Sequence, residues 1–188
     1  MHTFVRNAPL DLTARPEPAV SDRSGPPLSQ GFLFTLIGMV ASDLCSEATL
    51  ETITQADPDL WYPGQALESV LDEVGRKSPR GAFRVGHSVY FMLPDKLREI
   101  GILDAASFFR ILPSLWQNVT RGDSGHFETQ MLGDKMARVD MVQPYNCEFE
   151  EGALVGFLEG LGHREVTTQH TTCMRLGEPA CKILISWK

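Results

Sequence analysis

Three of the four cysteines lie from position 147 onward, in the spacing Cys147-x22-His170-x2-Cys173-x7-Cys181. Thiolate and imidazole are the donors that zinc takes in a tetrahedron, and zinc brings no geometric demand of its own. Cys147, His170, Cys173 and Cys181 are therefore the expected metal ligands, with zinc as the expected cofactor. Four protein ligands close such a site and make it structural rather than catalytic. Two other fates stay open for these residues: inert buried thiols that pack as small hydrophobes, and a Cys173–Cys181 disulfide across a hairpin. Cys45, alone in the helical first part, is expected in the core.

The elements that must bring these ligands together can be read from the pattern. Phe149 to Leu161 reads as a helix ended by Gly162, with Cys147 at its start, where the helix dipole and free N–H groups favour a thiolate. His170 and Cys173 fall on a strand predicted over 164–174, and Cys181 opens the next, over 180–187. Positions three apart on a strand point to opposite faces. A bulge near Thr171-Thr172 is thus required if both bind one metal. Without it the fourth ligand comes from Glu148, Glu150 or Glu151. Upstream, His126 to Leu132 and Lys135 to Gln143 read as a hairpin turning at Gly133-Asp134. The tail is hairpin, helix, hairpin.

Before it the chain reads as helical. Helices are expected over 30–44, 47–55, from Pro63 to the break at Ser78-Pro79-Arg80-Gly81, over 83–93 and over 104–119, with a short helical turn over 97–103. Pro113 is expected to kink or divide the last. Residues 1–28 carry Pro9, Pro16, Pro18, Pro26 and Pro27 and read as a flexible N-terminal arm or an extended strap. Residues 29–188 form the second unit, its zinc lobe covering about 144–188. The fold class is α+β: N-terminal helices packed on an antiparallel sheet, with a C-terminal hairpin–helix–hairpin zinc-binding lobe.

The chain has 188 residues, 43% hydrophobic and 22% charged, with a formal net charge of −7. That length supports one domain with a proper core. The acidic balance argues against nucleic acid and against an anionic membrane surface as partners. No run approaches the ~18 apolar residues of a membrane span, and the start lacks the basic and apolar regions of a signal peptide. A cytoplasmic location is expected. No nucleophile elbow, paired-carboxylate motif or glycine-rich phosphate loop points to an enzyme.

The stretch Pro144-Tyr145-Asn146-Cys147, then Gly152, Gly156 and Gly160, then Cys173-x3-Gly177-x3-Cys181 and a hydrophobic strand, resembles the 4-vinyl reductase domain family. It is most similar to the sensor domains of aromatic-responsive sigma-54 activators. The resemblance is carried by residues 126–187 and implies a zinc site on the three cysteines. The family often has a carboxylate where this chain has His170. It further implies a fold shared with haem NO-binding domains, a homodimer, and a pocket for a small apolar or aromatic molecule between helices and sheet. Candidate pocket residues are His87, Tyr90, Phe91, Phe109, Leu112, Trp116 and His126; core packing is the alternative for each. In the related sensors a Trp and a His hold the ligand's polar group, and His126 and Trp116 fall near those positions. His163 is expected to cap its helix and face solvent. The chain lacks the ATPase module of the activators, the P-loop and a DNA-binding helix pair.

The function so implied is a zinc-stabilised small-molecule-binding sensor or regulatory domain, acting through a dimer or partner protein. The alternatives are an interaction scaffold with no ligand, or a haem- or tetrapyrrole-binding accessory protein. For the tetrapyrrole reading the resemblance implies a vinyl-reduction accessory role. The Tyr-x-Ser-x-Arg haem clamp of the NO sensors is missing here, and His87 near Tyr90 is an isolated candidate for an iron ligand.

Overall fold

Apolar residues recurring at helical spacing in the first two thirds, and alternating in the last third, fold here into seven helices and seven strands among the described residues. The computed structural model describes residues 2–188. Helices α1 (Phe32–Val40), α2 (Glu47–Thr54), α3 (Gly64–Lys77) and α4 (Gly81–Phe91) fall within or close to the predicted spans. The short helix α5 runs over Pro94–Glu99, earlier than the expected turn, because Pro94 fixes the backbone of its first turn.

Helix α6 (Ala105–Val119) opens on a capping box in which the Asp104 carboxylate accepts from the Ser107 N–H. It runs undivided through Pro113, where a kink or a division was expected. Proline has no N–H to offer the carbonyl four residues back, which is that of Phe109. That carbonyl accepts instead from the Thr129 hydroxyl, so the orphaned group is satisfied and the helix continues.

The C-terminal part follows the expected order. Strands β4 (His126–Gly133) and β5 (Met136–Val142) form a hairpin, α7 spans Cys147–Gly160, and β6 (Thr167–Thr172) pairs with β7 (Cys181–Ser186). Pairing of β5 with β7 fuses both hairpins into one antiparallel sheet, β4-β5-β7-β6. The tail is therefore not a separate lobe. Its central strands bury alternate residues, Ala137, Val139 and Met141 on one and Cys181, Ile183 and Ile185 on the other. Phe108 stacks on Phe157 at 3.8 Å, and Phe109 on Trp187 at 5.7 Å, which ties α6 to α7 and to the sheet.

A second sheet, β2-β1-β3, was not foreseen: β1 (Leu28–Gln30), β2 (Trp61–Pro63) and β3 (Thr120–Arg121) have two or three residues each. Against it and α3 lie residues 2–27, as a strap rather than a free arm. Phe4 meets Tyr145 edge-on, Val5 exchanges two hydrogen bonds with Gln65, and the Arg15 N–H donates to the Trp61 carbonyl at 2.8 Å. Among the described residues no helix is long and apolar enough to cross a membrane.

Helices α4 and α7 pack with their backbones nearly touching. A Cβ on Gly152 would lie 2.0 Å from the Phe83 carbonyl oxygen, and one on Gly86 would lie 2.1 Å from that of Phe149. Only glycine permits this approach at both positions.

Candidate functional site

Helix α7 carries two groups of residues, separated by helical periodicity. Its N-cap is Asn146, whose side chain accepts from the Glu148 N–H, and Cys147 is its first residue. The Sγ of Cys147 lies 3.4 Å from that of Cys173. One donor atom from each of Cys147, His170, Cys173 and Cys181 falls within 4.8 Å of every other. All four cysteines are free thiols, so the Cys173–Cys181 bridge is not formed.

The strand-period difficulty is resolved in β6. Its register against β7 shifts between His170 and Thr172, the irregularity needed to turn His170 and Cys173 toward the same point. The acids weighed for the fourth position lie elsewhere. Glu148 faces a polar groove with Arg175, Glu150 faces an apolar cavity, and the Glu151 carboxylate stands 3.7 Å from the His170 Nδ1. Glu151 is buried and held by the Thr168 hydroxyl at 2.6 Å and by Arg80 at 3.2 Å. The other ring nitrogen of His170, Nε2, is buried without a hydrogen-bond partner. A carboxylate on one imidazole nitrogen and an unsatisfied second nitrogen facing three sulfurs is the arrangement that ligating histidines adopt.

The thiols share their protons unevenly. A hydrogen bond from Cys147, helped by the Met174 N–H and by His170, draws Cys181 down to about 5. The bond with Cys181, then burial, pushes Cys147 up.

Three residues on, α7 faces a cavity of about 400 Å³. Glu150, Ala153 and Leu154 form one wall. Phe32, Leu36 and Met39 of α1, Tyr90 of α4, Leu97 of α5, Phe108, Leu112 and Trp116 of α6, and Phe127 of β4 are among the other residues that line it. Burial, then the charge at Cys181, pushes Glu150 up to about 8. Burial likewise raises the Tyr90 phenol.

Of the candidate pocket residues, Tyr90, Leu112 and Trp116 line this cavity, and the other four do not. His87 stacks between Phe83 and Phe91 and bonds the Glu159 carboxylate at 2.7 Å on the outer side of α4. Phe91 is half exposed on that same side. Phe109 is buried, but neighbouring helical positions diverge by about 100°; Phe108 meets the cavity and Phe109 meets Trp187. His126 is exposed, because alternation along β4 turns Phe127 inward and its predecessor outward. The Trp116 indole N–H is engaged by the Ser124 carbonyl at 3.2 Å, so it does not face the cavity as a free donor. His163 packs on Trp187 near the end of α7.

The candidates left out Leu97, Phe108 and Phe127, the residues from α1, and Glu150, Ala153 and Leu154 of α7. For the three on α7 the sequence signal is the helical period, which puts 150, 153 and 154 on one side and the glycines on another.

No protein-family model matches the chain, and no curated protein matches it. Solved structures do. An H-NOX protein from Shewanella oneidensis in the Fe(II)NO ligation state is 16% identical over 85% of this chain and 99% of its own, with a TM-score of 0.63. A single-residue variant of the Tt H-NOX domain is 10% identical over 85% and 95%, at 0.64. An oxygen-binding H-NOX domain related to soluble guanylate cyclases is 11% identical over 84% and 92%, at 0.61. At these identities the likeness shows the fold, an α+β fold of the H-NOX type, in agreement with the expected relation to haem NO-binding domains. The 4-vinyl reductase resemblance gains no support from these comparisons. Zinc as the cofactor is corrected: the solved domains of this fold are iron proteins, described in Fe(II) states and by their heme.

Proposed function

We propose that this chain is a small-molecule-binding sensor domain whose ligand occupies the apolar cavity beside α7. The observation that carries this is the cavity itself, walled by aromatic and aliphatic side chains from five helices and the sheet and containing one inward carboxyl. Cys147, His170, Cys173 and Cys181 hold one metal ion as a closed, structural site. The unsatisfied His170 Nε2 and the bulge in β6 support that assignment. Cys147, Cys173 and Cys181 carry the 4-vinyl reductase resemblance, here as a reading of the motif alone, and His170 departs from it. The signal leaves through a dimer or partner protein. Phe91, Met92, Ile100 and Leu103, all exposed between α4 and α6, supply apolar surface for such a contact.

The fold neighbours favour a second reading over a zinc-stabilised aromatic sensor: a haem or other tetrapyrrole in this cavity. The residues here do not fit a histidine-ligated haem. None of His2, His87, His126, His163 and His170 reaches the cavity, and its one cation, Lys96, lies exposed at the edge.

Metal analysis and spectroscopy of purified protein test the proposal together. One metal per chain, lost in Cys173→Ser, and no Soret band on adding haemin are expected. Metal-free folded protein would sink the metal assignment. A saturable Soret band at one haemin per chain would replace the apolar-ligand reading with the tetrapyrrole one.

A further inference from the structure

An apolar cavity with one buried carboxyl poses a chemical question that packing alone does not answer. Glu150 is only 7% exposed and lines the cavity. Among the described residues its carboxyl has no hydrogen-bond partner. Two other acids of α7 differ: Glu151 is bonded by Thr168 and Arg80, and Glu159 by His87. A buried carboxyl without a partner costs stability that an apolar residue of the same shape would not. Nothing in the core requires it there.

The surroundings indicate what would meet it. Tyr90, Phe108, Trp116 and Phe127 contribute rings to the same wall. Aromatic faces carry negative potential and attract a cation, most strongly where water is excluded. The Tyr90 hydroxyl has no hydrogen-bond partner among the described residues and supplies a second oxygen acceptor. Acidic oxygens within an aromatic enclosure suit an ammonium group on an apolar body, and they disfavour a carboxylate or phosphate.

We infer that Glu150 is the polar anchor of the cavity and that its ligand is a hydrophobic amine, whose amino group takes the Glu150 proton and meets the resulting carboxylate as an ammonium while its apolar part lies against α1 and α6. This rests on the cavity being the ligand site, as proposed above, and narrows its ligand class.

The test compares two probes of equal shape, 2-naphthylmethylamine and 2-naphthylmethanol, by calorimetry on the full chain. The wild-type protein is expected to bind the amine about tenfold more tightly, the scale of one charge-assisted hydrogen bond. Glu150→Gln, with its fold checked by circular dichroism, is expected to lose that preference and keep its affinity for the alcohol. Leu154→Trp, which fills the cavity, is expected to lose both. Equal binding of both probes by the wild type would overturn the anchor and leave the cavity reading intact. Binding of neither would overturn both. Amine preference surviving in folded Glu150→Gln, or amine binding surviving in Leu154→Trp, would trace the preference to the acidic surface and overturn the inference.

Discussion

The sulfur cluster and the apolar cavity share helix α7 and are built in opposite ways. The cluster gathers four donor side chains of two types within 4.8 Å, from a helix start, two strand positions and the residue just past β6, which is reached through a bulge. The cavity is open space among side chains that elsewhere would simply pack. One site is defined by the atoms that fill it, the other by the atoms that stop short. Loss of the first should therefore cost stability, and loss of the second should cost binding.

The largest expected effect tests this division at the cluster. Cys181→Ser should lower stability by about 3–5 kcal/mol if a metal staples α7 to the β6–β7 hairpin. Urea denaturation with parallel metal analysis measures it. A loss under about 1 kcal/mol would make the four residues ordinary core.

Next comes the helix that both sites use. Gly152→Ala places a methyl 2.0 Å from the Phe83 carbonyl oxygen and must push α7 away from α4. A cost of about 2–3 kcal/mol is expected, with weaker probe binding as well. Stability falling with binding unchanged would show that the cavity does not depend on this seam.

A smaller effect concerns pH. The ordinary value for Glu150 is 4.5 and its folded value is about 8. Below 4.5 both states hold the proton and the group contributes nothing. Between 4.5 and about 8 the unfolded chain releases a proton that the folded one keeps, so stability falls as pH rises; above about 8 the cost is constant. Glu150→Gln should flatten this decline in chemical denaturation between pH 5 and pH 8. Parallel profiles for both proteins would contradict a buried, protonated carboxyl.

His126→Ala should do least: within ~0.5 kcal/mol in stability and no change in probe affinity, since the ring is exposed on an edge strand. A clear loss of binding would return His126 to the site.

The contrast also explains what could be read from the residues. Cysteine and histidine are scarce, so their spacing stands out, and the period of a strand was enough to require the bulge at Thr171-Thr172. Helix starts were equally legible where Asp104 or Pro63 marked them. Cavity walls use the same Phe, Leu and Trp as the core, so type says nothing about which side faces empty space. Phe108 and Phe109 are adjacent and identical, yet one lines the cavity and the other packs on Trp187. At His126 and Phe127 a single step of alternation decides between solvent and cavity. The small sheet was hidden for another reason. Its strands are too short to show a period, and they pair across distances set by the surrounding helices.

The glycine seam between α4 and α7 has a thermodynamic consequence. With backbones in contact, α7 has no compressible side-chain layer in which to absorb a small displacement. Its first residue belongs to the cluster, and Glu150, Ala153 and Leu154, within its first two turns or just past them, belong to the cavity. If both sites are occupied, occupancy at one end is expected to alter the free energy of occupancy at the other, by the same factor in both directions. Ligand affinity measured before and after metal removal, and metal affinity measured with and without ligand, should close that cycle.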